Sequence, residues 1–125
     1  MGKKHSPRFL ATVEQSRAVI QECDIERFSS MLNDGKGLTV IDVREQHEYD
    51  AGSFTGALHL SKGVIERDIE KHPISEGTRI VLYCGGGFRS AIAAESLTRM
   101  GYTNVYSLWG GWRSLVSAGL ASSNQ

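Results

Sequence analysis

The 125-residue sequence contains two cysteines, carries no net charge, and has no apolar run approaching the roughly 20 residues a membrane helix requires. Each scarcity excludes something. Cys23 and Cys84 are too few for the disulfide framework of a small secreted domain, and the start of the chain lacks the apolar stretch of a secretory signal. Low cysteine use without an export signal fits a reducing cytoplasm, where a free thiol can serve catalysis, so the expected location is cytoplasmic. Fourteen basic against 14 acidic residues give bulk electrostatics no reason to recruit nucleic acid or a membrane surface. The one basic concentration, Lys3, Lys4 and Arg8, reads as a solvated tail. His5, His47, His59 and His72 are scattered without metal-ligand spacing, so no metal is expected. Residues 1–6 match the N-myristoylation pattern through Gly2 and Ser6, a pattern short enough to match by chance.

What is present is a single ordinary domain. Hydrophobic residues make up 40% and charged residues 22%, near the globular average, and a chain of this length buries roughly two thirds of its unfolded surface. That suffices for a core without metals or staples. There is no internal repeat. Residues 1–16 are polar and aperiodic and read as a flexible N-terminal tail. Residues 17–120 form the domain, and 121–125 a C-terminal tail.

Along the domain, short β-prone runs alternate with amphipathic stretches. Ala18-Val19-Ile20 suggests a first strand. Asp24 can cap a helix whose face is Ile25, Phe28, Met31 and Leu32, ended by Asn33-Asp34-Gly35. Leu38–Ile41 reads as a strand buried on both faces, and 57–60 as a weaker strand. Val64, Ile65 and Ile69 suggest a helix before His72-Pro73. Arg79-Ile80-Val81-Leu82-Tyr83 is the plainest strand. A helix from about Ser90 places Ala93, Leu97 and Met100 at i, i+4 and i+7, with Gly101 past its end. Asn104-Val105-Tyr106 is a short strand, and Gly110-Gly111 leads into a last helix with Leu115 and Val116. This alternation implies an α/β domain with a largely parallel sheet. Active sites of such sheets lie beyond the carboxyl ends of the strands.

Cys84 falls at one of those ends, between a buried strand and the first turn of a helix. Helix N-termini expose unpaired N–H groups and partial positive charge. Gly85-Gly86-Gly87 let the loop curl with its amides inward. Arg89 adds a permanent charge with a planar fork of donors. That setting stabilises a thiolate and binds a small oxyanion. Cys84 is therefore the candidate nucleophile, with Gly85, Gly86, Gly87, Phe88, Arg89 and Ser90 as the substrate-binding loop. The bland alternative is a buried, inert cysteine beside a structural glycine turn.

Leu82-Tyr83-Cys84-Gly85-Gly86-Gly87-Phe88-Arg89-Ser90-Ala91 resembles the active-site loop of single-domain rhodaneses, the thiosulfate sulfurtransferase-like family. Ile41-Asp42-Val43-Arg44-Glu45 followed by Glu48-Tyr49, and Ala51–Ala57, resemble two further signatures. Met100-Gly101-Tyr102, Val105 and Leu108-Trp109-Gly110-Gly111 resemble a fourth. The similarity runs in order from about residue 17 to 120. Ser53, Thr55 and Leu115 depart from the family's usual histidine, proline and tryptophan. The resemblance implies a three-layer α/β/α rhodanese-like domain with a central, largely parallel five-stranded sheet. It also implies Cys84 as the sulfur-carrying nucleophile.

On that basis Cys84 attacks the sulfane sulfur of a donor such as thiosulfate, sulfite leaves, and a persulfide forms. A thiol or cyanide acceptor, or a protein acceptor, then removes the sulfur, with no cofactor. Two rivals remain. One is a sulfur-carrier or protein-binding module of the same fold. The other is phosphatase or arsenate-reductase chemistry, whose related loops have five residues between cysteine and arginine against four here. Asp42 and Arg44 either orient the active loop from behind or form a structural ion pair tying two loops together, the reading preferred. Lys62 is either an attractor of anionic donors or a solvated lysine. Phe88 walls the pocket or belongs to a docking patch, Trp109 and Trp112 pack, and Cys23 is a remote candidate for resolving a persulfide.

Overall fold

A computed structural model describes residues 5–121. Helix α1 (Pro7–Arg17) leads to β1 (Gln21–Cys23), α2 (Ile25–Asn33), β2 (Thr39–Asp42), α3 (Gln46–Ala51) and β3 (Leu58–His59). Helix α4 (Ile65–Asp68) runs into a 3-10 turn (Ile69–Lys71), followed by β4 (Ile80–Tyr83), α5 (Phe88–Arg99), β5 (Val105–Leu108) and α6 (Gly111–Ser117). The five strands form one sheet in the order β1-β5-β4-β2-β3, and every ladder is parallel.

Strand alternation sorts the core into two clusters. Ile80, Leu82 and Cys84 pack with Ile41, Val43, Ala93, Ala94 and Leu97 on one face of the sheet. Val81 and Tyr83 pack with Val40, Phe28, Met31 and Leu115 on the other. Helices α4 and α5 thus cover one face, and α2 and α6 the other, giving the expected three layers. All four β4 side chains are buried, as a central strand of a parallel sheet requires. Fully burying each Ile or Leu contributes about 1.5–3 kcal/mol.

Two local expectations need correction. Residues 7–16 are not a flexible tail but most of α1. Ser6 caps it, accepting from the Phe9 N–H at 3.4 Å, and Pro7 stands in its first turn. Val13 and Ser16 are buried, and the Ser16 hydroxyl donates to Glu95 Oε1 of α5 at 2.8 Å. One narrow contact line on an otherwise polar helix leaves little periodicity to read. Gly2 of the myristoylation pattern lies outside the described residues, and Ser6 of that pattern is a helix cap. The first strand begins at Gln21, three residues later than Ala18, because α1 ends in a turn over 18–20 that leaves Val19 exposed. Helix α3, six residues without a buried side chain, leaves no apolar periodicity in the sequence.

Other expectations hold. Asp24 caps α2, its carboxylate accepting from the Arg27 N–H at 2.8 Å. Helix α5 ends at Arg99 just before Gly101.

Strand order explains where a site can form. From β2 the chain moves outward to β3, and from β4 it moves the opposite way to β5. The connections diverge above the carboxyl ends of β2 and β4, leaving a crevice there. Residues 43–48 follow β2, and Cys84 follows β4.

Candidate active site

Cys84 continues the phase of β4, so its side chain points to the face shared by Ile80 and Leu82, and the residue is 1% exposed. The chain then turns through Gly85–Gly87 into α5. The Gly87 N–H donates to Cys84 Sγ at 3.2 Å and the Ser90 N–H at 3.4 Å. The thiol donates to Ser90 Oγ at 3.5 Å, and Ser90 Oγ is bonded to the buried Ser107 Oγ at 2.8 Å. The sulfur thus sits against the first-turn amides of α5 with a hydroxyl pair beneath it. Amides aimed at a sulfur stabilise its anionic form.

The loop keeps this shape because a second turn holds its carbonyls. Trp112 N–H donates to Cys84 O at 2.7 Å, Arg113 N–H to Gly85 O at 3.3 Å, and Gly110 N–H to Gly86 O at 2.9 Å. With three successive carbonyls drawn toward the start of α6, the Gly87 amide is left to face the sulfur. The close approach requires Gly111: with φ +48°, a Cβ there would collide with the Cys84 carbonyl oxygen and lie 2.9 Å from Gly85 C. Gly87, with φ +116°, starts α5 in the left-handed region, and a Cβ would lie 3.1 Å from Trp109 Cε3. The Leu108–Gly111 segment was legible as a signature, but its grip on the cysteine loop was not.

Arg89 reaches the site, but its fork is occupied. Nη1–H donates to Glu48 Oε1 at 2.7 Å and Nη2–H to Oε2 at 3.1 Å. Glu48 Oε1 also accepts from the Glu45 N–H at 3.0 Å. The Arg89 guanidinium pulls the Glu48 carboxyl down to about 2, against the opposing effect of burial, with the Glu45 amide helping. Arg89 in turn is raised above its ordinary value, first by Glu48 and then by the Cys84 sulfur beside it. Glu48 belongs to the signature that follows β2, where sequence alone gives it no partner. The signal available was its place three residues after Glu45 at a helix start.

Asp42 and Arg44 are 0% and 3% exposed and pair through Arg44 Nη2–H to Asp42 Oδ2 at 2.7 Å and Nε–H to Oδ1 at 3.0 Å. Arg44 Nη2 also donates to Gly52 O at 2.7 Å, the Tyr83 hydroxyl donates to Asp42 Oδ2 at 2.6 Å, and the Phe54 N–H donates to the Tyr83 oxygen at 3.0 Å. The pair therefore ties the segment after β2 to residues 52–54 and to β4. Trp112 lies over the Arg44 guanidinium at 4.4 Å and stacks with Tyr83 at 6.3 Å, so it packs as expected.

Phe88 meets His5, Phe9 and Trp109 at 5.1, 6.3 and 5.9 Å between ring centroids. Helix α1 thus braces the cysteine loop from outside. Trp109, 39% exposed, carries the Arg17 guanidinium 3.8 Å above its ring. Lys62 is half-buried and makes no hydrogen bond or ion pair with the cysteine loop among the described residues. Cys23 belongs to the core on the opposite face from Cys84, and both thiols are free. Burial pushes the Cys23 thiol up to about 12.

The rhodanese-like domain family matches residues 24–118. The thiosulfate sulfurtransferase GlpE of Pseudomonas entomophila is 36% identical over 92 residues, covering 71% of this chain and 83% of GlpE. YrkF of Bacillus subtilis, named provisionally as a sulfur carrier protein, is 27% identical over 99 residues. That match covers 79% of this chain and 52% of YrkF, so the chain spans about half the length of that relative. Among solved structures, the 30 kDa polysulfide-sulfur transferase homodimer from Wolinella succinogenes matches with a TM-score of 0.77 at 26% identity. The match covers 93% of this chain and 86% of that one.

Proposed function

The chain belongs to the rhodanese-like domain family, and from that premise we propose that it is a sulfurtransferase carrying sulfane sulfur as a persulfide on Cys84. The observation that carries the reading is the pair of amides, from Gly87 and Ser90, converging on Cys84 Sγ. A nucleophilic thiolate needs such donors, and a persulfide carries that negative charge on its terminal sulfur in the same mouth.

With thiosulfate as donor, the Cys84 thiolate attacks the sulfane sulfur. A sulfur–sulfur bond forms to Cys84 and the donor's sulfur–sulfur bond breaks. Sulfite leaves with the electron pair, so total charge is conserved. A thiol or cyanide then attacks the terminal sulfur and returns the thiolate. Arg89, held by Glu48 beside the sulfur, stabilises the anionic thiolate and persulfide. The Ser90–Ser107 hydroxyl pair accepts a hydrogen bond from the resting thiol.

Intact mass after incubation with thiosulfate tests the reading. The expected result is one added sulfur atom on the wild type and none on Cys84→Ser, with thiosulfate–cyanide turnover abolished and circular dichroism unchanged. A folded Cys84→Ser protein that still transfers sulfur would overturn it. Aryl phosphate hydrolysis should be negligible, because four residues between cysteine and arginine leave a tight cradle. The described residues contain no helix long and apolar enough to cross a membrane.

A further inference from the structure

Four arginines surround the cysteine loop, and three are compensated. Arg44 is paired with Asp42, Arg89 with Glu48, and Arg17 with Glu22 and Glu14. The fourth, Arg113, is exposed and has no ion-pair partner among the described residues. Its backbone N–H holds Gly85 O at 3.3 Å, and its side chain folds back over the loop. A Cβ built on Gly86 would stand 3.7 Å from Arg113 Cζ and 3.7 Å from Nη2. Gly86 has no side chain, and the guanidinium lies within van der Waals reach of the position its Cβ would take.

A donor that delivers its sulfane sulfur to Cys84 presents its remaining charge outward, away from Sγ. The Gly87 and Ser90 amides already engage Sγ, and both arms of Arg89 are committed to Glu48. The departing anion therefore meets one uncompensated cation over the loop. We propose that Arg113 is the donor-recognition residue, selecting sulfane-sulfur donors whose charge lies beyond the transferred atom, as in thiosulfate. This inference rests on the sulfur-transfer reading and names the substrate class of that site. Lys62, which has no ion-pair partner among the described residues, is the competing candidate.

The experiment compares alkylation of Cys84 by anionic iodoacetate and neutral iodoacetamide at low ionic strength, read by peptide mass. Their rate ratio reports charge recognition at the sulfur independently of turnover. In Arg113→Ala the ratio should fall about fivefold, the effect of one solvent-screened charge at close range. Arg113→Glu should lower it further, and Arg113→Lys should retain most of it. The KM for thiosulfate should rise in the same order. An unchanged ratio in Arg113→Ala and Arg113→Glu would overturn the inference, as would a ratio that collapses in Lys62→Ala instead. Failure of the wild type to take up sulfur, with the ratio still dependent on Arg113, would overturn the sulfur-transfer reading while leaving anion recognition standing. A Cys84 that reacts with neither reagent would overturn both.

Discussion

The Glu48 carboxylate holds the Arg89 guanidinium by both arms, at 2.7 and 3.1 Å. Glu48 stands on α3 after β2 and Arg89 on α5 after β4, so the pair bridges the crevice between the two diverging connections. The loop arginine is thereby a fixed neighbour of the cysteine, with its two arms committed to a carboxylate.

Removing either partner should therefore damage the same step. Arg89→Ala should lower thiosulfate turnover about ten- to hundredfold, the effect of losing a charge-assisted contact of roughly 1.5–3 kcal/mol. Arg89→Lys should rescue only partly, because it lacks the planar fork. Glu48→Gln should lower turnover about tenfold by freeing Arg89 from its position. Steady-state kinetics with thiosulfate and cyanide would measure all three. Wild-type rates in Glu48→Gln would show that Arg89 needs no anchor.

The same pair sets an acid limit. The Glu48 carboxyl lies at about 2 in the folded protein, against 4.5 when unperturbed. A depressed folded-state value means the unfolded chain binds the proton more readily, so the pair's contribution is complete above 4.5 and is lost as pH falls toward 2. About 1–2 kcal/mol should disappear over that window, discounted because the pair is partly exposed to solvent. Urea midpoints measured from neutral pH down to about pH 3 should draw together for wild type and Glu48→Gln as the pH falls. Parallel pH profiles for the two proteins would place the acid sensitivity elsewhere.

Gly111→Ala should damage both stability and turnover. The backbone there is left-handed, and the new Cβ would drive into the Cys84–Gly85 peptide. Either the start of α6 or the cysteine loop must move, at a cost of about 1–3 kcal/mol. Stability should fall by that amount, and turnover should fall at least tenfold even in the folded fraction. Normal turnover in Gly111→Ala would mean that the loop keeps its shape without the α6 brace.

Asp42→Asn should act on stability more than on chemistry. It keeps the shape but leaves Arg44, 3% exposed, without its counter-charge. Breaking one partner of a buried pair costs about 3–5 kcal/mol. Chemical denaturation should show that loss, while the folded fraction should retain turnover within about tenfold of wild type. A folded, stable Asp42→Asn protein without activity would assign the pair to the active loop.

Cys23 and Cys84 should differ sharply toward iodoacetamide. The Cys23 thiol, pushed up to about 12 by burial, should stay unmodified in native protein at neutral pH, while Cys84 reacts. Peptide mass after timed alkylation would decide it. Faster modification of Cys23 would mean that the nucleophile is the other thiol.

Much of the fold was legible because strands buried on both faces must be apolar throughout. The Ile80–Tyr83 run, the Asp24 cap and the Gly101 stop each have one strong local cause. The sequence by itself also determined that Cys84 and three glycines lie between a strand and a helix with Arg89 at the helix start, since chain adjacency places them there. Helices α1 and α3 left no such trace, because one buries a narrow line and the other no side chain. Only the tertiary structure decided what each charged group at the site is free to do. Arg89 lies 41 residues from Glu48 in sequence, and their pairing follows from strand order, not from spacing. The same holds for the α6 brace on the loop carbonyls and for Arg113 over Gly86. Local sequence selects a backbone state, but the partner of a charge is chosen by whichever distant segment the sheet brings beside it.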